Sequence, residues 1–142
     1  MRSVTRRSLL ATAFLTAVTG VSALDASAAT GVRADFQTPS RNIGCHVYRS
    51  QFRGGWTLEC QLRSKVGKDR YGREGLFTPY VTRRGRAHRS YFSGLVYGGK
   101  VLAYGRRYRR RGFVGRSRRT GLTCRNLAGH GFTLSRERQR LF

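Results

Sequence analysis

The sequence is poor in acid. Six Asp and Glu stand against 29 Lys and Arg in 142 residues, a formal net charge of +23. Charge of that size repels itself, so the folded state must tolerate it or meet a polyanion. Lysine is scarce as well; with only Lys65, Lys68 and Lys100, the positive charge is carried by arginine. GC-rich coding also favours arginine, so composition alone does not separate binding from codon bias. Histidines and cysteines number three each, and the spacings of His46, His88, His130, Cys45, Cys60 and Cys124 fit no zinc pattern, so no metal is expected. No glycine-rich loop of Walker or Rossmann spacing follows a strand, and no cofactor is expected. Past the first 28 residues the carboxylates are Asp35, Glu59, Asp69, Glu74 and Glu137, none in a recognisable catalytic motif. There are two prolines and no long helical period in that part of the chain. Helical architectures are thereby excluded.

The amino terminus reads as an export signal. Arg2, Arg6 and Arg7 form a basic start, Leu9 to Leu24 is apolar but too short and Thr/Gly-broken to span a membrane, and Ala26-Ser27-Ala28 is a small-residue cleavage site. The adjacent Arg6-Arg7 fits twin-arginine export as well as an ordinary secretory signal. Residues 1–28 are therefore expected to be a helical signal peptide, residues 29–35 a flexible lead, and residues 36–142 one small domain. Cleavage would leave 26 basic and 5 acidic residues, a net charge of about +21, in a secreted or cell-envelope protein with no integral membrane span.

Short alternating runs dominate residues 36–142. Ile43, Cys45 and Val47 alternate with polar neighbours, as do Trp56, Leu58, Cys60 and Leu62, which predicts two half-buried strands. Placing Cys45 opposite Cys60 also sets Val47 against Leu58 and Ile43 against Leu62. His46 and Glu59 then fall on the wet face. A one-residue slip would scramble this arrangement. In an exported chain the register predicts a Cys45–Cys60 disulfide, closing a loop of about 16 residues and contributing on the order of 3 kcal/mol.

Residues 64–75 read as a loop, and residues 76–81 as a short strand demoted to an edge by Pro79. Gly98-Gly99 reads as a two-residue hairpin turn pairing Val96 with Val101 and Leu95 with Leu102. Residues 106–111 read as a basic loop. Phe113 to Ser117 and Leu122 to Arg125 frame a four-residue turn that sets Gly115 opposite Cys124, and Phe132 and Leu134 mark a last strand. The fold class expected is all-β, a small single-domain sandwich or partly open barrel of short antiparallel hairpins.

Several motifs are similar to those of a family of small secreted actinobacterial proteins of unknown function. They are F-x-x-P-S-x-N-I-x-C, with Asn42 and Cys45; L-x-Y-G, with Tyr104 and Gly105; G-L-T-C-x-N, with Cys124 and Asn126; and G-H-G-F-x-L-S-R, with Gly129, His130, Gly131, Phe132 and Ser135. A terminal L-F completes the set. The resemblance supplies no activity. Members of the family usually carry further cysteines near Ser90–Phe92 and near Gly115, absent here, which implies that Cys124 has lost its partner. An unpaired Cys124 is then a free thiol or an intermolecular bridge.

These residues support three functional readings. The first is a non-catalytic module with affinity for an anionic polymer or surface: wall polymer, anionic lipid or nucleic acid. Its contacts would be Arg83, Arg84, Arg86, Arg106, Arg107, Tyr108, Arg109, Arg110, Arg111, Arg118 and Arg119, in loops beside aromatic residues. Guanidinium groups grip phosphate bidentately and aromatic rings stack on bases or sugars. The second is a small hydrolase centred on His130, with Ser135 or Cys124 as nucleophile. The third is a structural or partner-binding envelope protein whose charge is incidental.

Overall fold

The computed structural model describes residues 31–142, and the expected signal peptide lies outside the described residues. Fifteen short strands make up the described chain, which contains no helix. No helix among the described residues is long and apolar enough to cross a membrane. The architecture is all-β and sandwich-like, with no closed barrel.

The first layer is built on β3 (Ile43–Ser50) and β4 (Gly55–Lys68). Their antiparallel register places Cys45 opposite Cys60, Val47 opposite Leu58 and Ile43 opposite Leu62, and the two cysteines are joined. β2 (Phe36–Gln37) pairs with β3. On the other side, β4 pairs with both β5 (Glu74–Phe77) and β6 (Tyr80–Thr82). Pro79 separates these two, so the single strand expected over residues 76–81 is broken in two. β7 (Ala87–His88) joins β6, and β8 (Tyr91–Phe92) joins β5. The loop expected over residues 64–75 is much shorter. β4 runs on through a bulge between Leu62 and Val66 and pairs as far as Lys68 with Glu74.

Four other expectations are corrected. Gly98-Gly99 is not a hairpin turn. β9 (Leu95–Tyr97) lies parallel to β1 (Gly31–Arg33), and β10 (Lys100–Val101) lies parallel to β2. Residues 95–101 thus form one bent ribbon beside residues 31–37, kinked where the glycines cross Ala34. At Gly99 (φ +85°) a Cβ would sit 2.7 Å from the Ala34 carbonyl oxygen, so glycine permits this close crossing. Residues 31–35, within the segment expected to be a flexible lead, are accordingly part of the fold. His46 and Glu59, expected on a wet face, are buried at 8% and 7% exposure. The arginine run at residues 106–111 is a strand over most of its length rather than a loop.

The second layer is a five-stranded antiparallel meander: β11 (Arg107–Arg110), β12 (Phe113–Arg118), β13 (Gly121–Arg125), β14 (Gly131–Leu134) and β15 (Gln139–Leu141). The register sets Gly115 opposite Cys124, as expected, and extends pairing to Arg118 with Gly121, so the turn holds only Arg119 and Thr120. Phe113, Leu122, Cys124, Phe132 and Leu134 point inward. They meet Phe36, Ile43, Val47, Leu58, Leu62, Phe77 and Val81 of the first layer in one core. Burying these aliphatic and phenyl groups contributes roughly 1.5–3 kcal/mol per side chain. The thiol of Cys124 lies in this core without a partner, 3.8 Å from Cys60 Sγ. Burial pushes its pKa well above the ordinary thiol value. In this fold Cys124 is closed off from a second chain, and an intermolecular bridge would require the core to open.

Candidate anion-binding surface

Strand alternation decides which arginines meet solvent. Arg107–Arg110, expected within a basic loop, is the edge strand of the second layer. An arginine-rich run hides its own periodicity, because both faces read as polar. Tyr108 is the one apolar side chain in it and turns inward. Its ring lies 4.3 Å from that of Phe36, and its hydroxyl donates to Asp35 Oδ2 at 3.3 Å. Arg110, on the same side, forms an ion pair with Asp35 Oδ1 at 2.6 Å. Asp35 also accepts from the Val47 backbone N–H at 2.6 Å, so this carboxylate ties β11 to β3. Tyr108 and Arg110 therefore serve the fold rather than an open patch.

Arg107 and Arg109 take the opposite side. The register carries that side across the sheet: Arg107 faces Arg116, Arg116 faces Thr123, Thr123 faces Thr133, and Thr133 faces Arg140. The neighbouring outward positions are Val114, Arg118 and Arg125. Six arginines thus share one outer face, and no outward strand position on it is acidic. A groove of about 340 Å³ runs over this face, lined by Arg107, Arg116, Arg118, Arg125 and the two threonines. Within it the Nε–H of Arg116 is buried and has no hydrogen-bond partner. A buried donor of this kind carries a desolvation cost until an acceptor reaches it.

The other expected binding residues scatter. Arg118 and Arg119 also border a smaller cleft of about 200 Å³, with Thr38, Ser40, Asn42, Tyr104, Ser135 and Arg136. The Arg119 guanidinium stands 5.2 Å from the centre of the Tyr104 ring. Motif residues distant in sequence, Asn42, Tyr104 and Ser135, therefore meet in one place. Arg106 lines a separate shallow cleft of about 660 Å³ with Phe36 and Lys100. Arg86 is simply exposed. Arg83, Arg84 and Arg111 lie at an end of the sandwich, near Trp56.

Asn126, Gly129, His130 and Gly131 build a turn. The Asn126 side-chain oxygen accepts from the Ala128 and His130 backbone N–H groups, both at 3.0 Å. Its amide nitrogen donates to the Thr82 and Gly85 carbonyls at 2.8 and 2.7 Å, which pins the β6–β7 turn. At Gly131 a Cβ would fall 1.8 Å from the Cys124 carbonyl oxygen, so any side chain would break the β13–β14 pairing. Ser135 Oγ accepts from Arg138 N–H at 3.0 Å, and its cleft is not lined by His130. Gly105 (φ +83°) turns the chain before β11. Phe132 is wholly buried.

Sequence reasoning missed one polar constellation. Glu59 is bonded to His46 Nε2 at 3.4 Å and the Tyr48 hydroxyl at 3.2 Å, and Arg53 closes onto its second oxygen. Burial works against ionisation of this carboxyl. The hydrogen bonds from His46 and Arg53, with their charges, outweigh it and hold the pKa below the usual range. Tyr48 is pushed up to about 12, first by burial and then by the Glu59 charge. Arg53 also lies 3.7 Å over the Tyr80 ring, which stacks on His88. The cluster locks the β3–β4 loop against the sheet. Cross-strand His46 and Glu59 were visible as a pair in the register, but nothing local showed that Arg53 would fold back over them.

Fold and surface together define a small, strongly basic β-sandwich domain with one acid-free arginine face. Residues 77–142 match the model of a family of unknown function (DUF6636), to which this chain is similar over the region containing the whole second layer. No curated protein and no solved structure matches the chain.

Proposed function

We propose that this chain is an exported, non-catalytic protein that binds phosphate-bearing polymers through the outer face of β11 to β15. The observation that carries the proposal is the cross-strand pairing of Arg107 with Arg116 on a face whose outward strand positions include no acid. Like charges directly opposite on adjacent strands destabilise a sheet. A row of phosphates laid across them would remove that repulsion and satisfy the unpartnered Arg116 Nε–H. The sheet presents Arg107 and Arg116 at strand spacing, about 4.8 Å apart across the ladder, a spacing suited to a flexible chain of anions rather than to one buried ligand.

The test is the salt dependence of binding to inorganic polyphosphate, single-stranded DNA and anionic vesicles, measured side by side. Affinity should fall steeply with salt, with a log–log slope of roughly −0.7 to −0.9 per phosphate contacted. Replacing Arg107, Arg116 and Arg125 with serine should flatten that slope by about two to three contacts' worth, whereas replacing Arg70, Arg73 and Arg89 should barely alter it. Binding that ignores salt, or that survives the first triple substitution but not His130→Ala, would overturn this reading and favour the hydrolase.

A further inference from the structure

At one end of the sandwich the inward positions of β3 and β4 change character. Beyond Val47 and Leu58 the next inward pair is Arg49 opposite Trp56. The indole packs against the core on one side and borders an open cleft of about 610 Å³ on the other. The β6–β7 turn brings Arg83 and Arg84 to the same cleft, and Asn126 and Leu127 hold that turn from the other layer. The β11–β12 turn adds Arg111, whose guanidinium lies 4.5 Å from the Trp56 ring centre.

Arg111 and Gly112 form the two-residue turn between the paired Arg110 and Phe113, and both are left-handed (φ +53° and +89°), as such a turn requires. Asn is the usual residue at the first position; here it is an arginine whose guanidinium covers the indole. Phe52, in the loop leading to Gly54 and Gly55 of the cleft wall, is wholly in solvent at 101% exposure. An indole bordering the cleft, a guanidinium stacked over its ring, further arginines at the rim and an exposed phenyl ring in the adjoining loop match what a planar ring with an attached phosphate requires.

We infer that the Trp56 cleft is a base-stacking subsite: a nucleobase stacks on the Arg111 guanidinium that covers Trp56, with its phosphates held by Arg49, Arg83 and Arg84. The inference rests on the phosphate-polymer reading of the sheet face and narrows it to single-stranded nucleic acid. Ring-free polyphosphate would occupy only the sheet face.

Trp56 is the single tryptophan of the chain, so intrinsic fluorescence reports this cleft alone. The full domain would be titrated at low salt with end-labelled oligothymidylate, an abasic deoxyribose-phosphate strand of equal length, and dTMP. Label anisotropy reads polymer binding and tryptophan emission reads stacking. The expected result is that both strands bind, only oligothymidylate quenches Trp56, and oligothymidylate binds at least tenfold more tightly. Phe52→Ser alters a fully exposed residue, and Arg111→Asn keeps a turn-compatible residue. Each should weaken oligothymidylate severalfold while leaving the abasic strand within twofold. Equal affinity and equal quenching by the two strands, or binding of both without any change at Trp56, would overturn the subsite. Failure of either strand to bind, with dTMP still quenching Trp56, would overturn the sheet-face reading and leave the cleft standing; silence from all three ligands would remove both.

Discussion

Arg107 and Arg116 stand directly opposite each other on β11 and β12, both on the outer side and without an acidic partner at any neighbouring outward position. Two cations at that separation oppose the strand pairing that holds them. Stability and ligand affinity should therefore respond to substitution here in opposite directions.

Arg116→Gln removes one member of the pair and leaves a side chain of similar reach. Thermal unfolding without ligand at low salt should show a gain of about 0.2–1 kcal/mol, shrinking as salt screens the repulsion. The same variant should bind polyphosphate more weakly. A variant that loses stability and affinity together would place Arg116 in the fold rather than in binding.

The cysteines make a redox prediction. Non-reducing peptide mapping should recover a Cys45–Cys60 link and leave Cys124 as one alkylatable residue per chain. Alkylation should require denaturant, because the thiol is wholly buried and its pKa is raised by that burial. Breaking the bridge with Cys45→Ala and Cys60→Ala should cost on the order of 3 kcal/mol or more. Rapid modification of Cys124 in the native protein at pH 8 would contradict the packing described.

Glu59 sets an acid limit. Its folded-state pKa lies below the unfolded value, so the unfolded chain takes up its proton first as pH drops. The stability it contributes is complete above the ordinary carboxylate value of about 4.3 and is lost as pH falls through the lower folded-state pKa. Glu59→Gln should be destabilised at pH 7, and its difference from wild type should close below about pH 4. Denaturant unfolding at pH 3, 5 and 7 checks this; a difference that persists undiminished at pH 3 would assign the loss to shape rather than charge.

Asn126 joins two turns from different layers through four hydrogen bonds. Asn126→Ala should cost roughly 2–4 kcal/mol, since four partly buried backbone groups lose partners at once. The loss should come with faster amide exchange at Gly85, Ala128 and His130. A change below about 0.5 kcal/mol would show that water replaces the side chain without penalty.

The parts of this fold that the sequence disclosed are those where apolar and polar residues alternate cleanly. Ile43, Cys45 and Val47 against Leu58, Cys60 and Leu62 admit one register, and the structure adopts it. Gly115 opposite Cys124 followed from a short hairpin in the same way. Alternation failed where both faces carry polar residues: in Arg107–Arg110 only Tyr108 marks the inside, and one residue defines no period. It also failed at Gly98-Gly99, because a left-handed glycine pair serves a kink as well as a turn, and the partner that decides between them lies over 60 residues away. Of the expected contacts, Arg107, Arg109 and Arg118 share the outer face. Arg110 and Tyr108 were drawn off by Asp35, a partner in another strand that no local pattern announces.

The parallel ribbon of residues 31–37 beside residues 95–101 has a consequence for how the domain is made. β2 has a near partner in β3, but β1 and the other edge of β2 must wait for a stretch more than 60 residues downstream. Closing so long a loop costs chain entropy before any contact offsets it. The β3–β4 hairpin and the β11–β15 meander pair with near neighbours and can form early, whereas β1 and β2 seal against β9 and β10 late. Until then the Asp35 and Gln37 carbonyls lack the Lys100 and Leu102 N–H groups from which they accept. Pulse-labelled hydrogen exchange during refolding should find the amides of Ala34 and Leu102 protected after those of His46 and Glu59, which pair β3 with β4. The reverse order would make the ribbon a nucleus instead of a clasp.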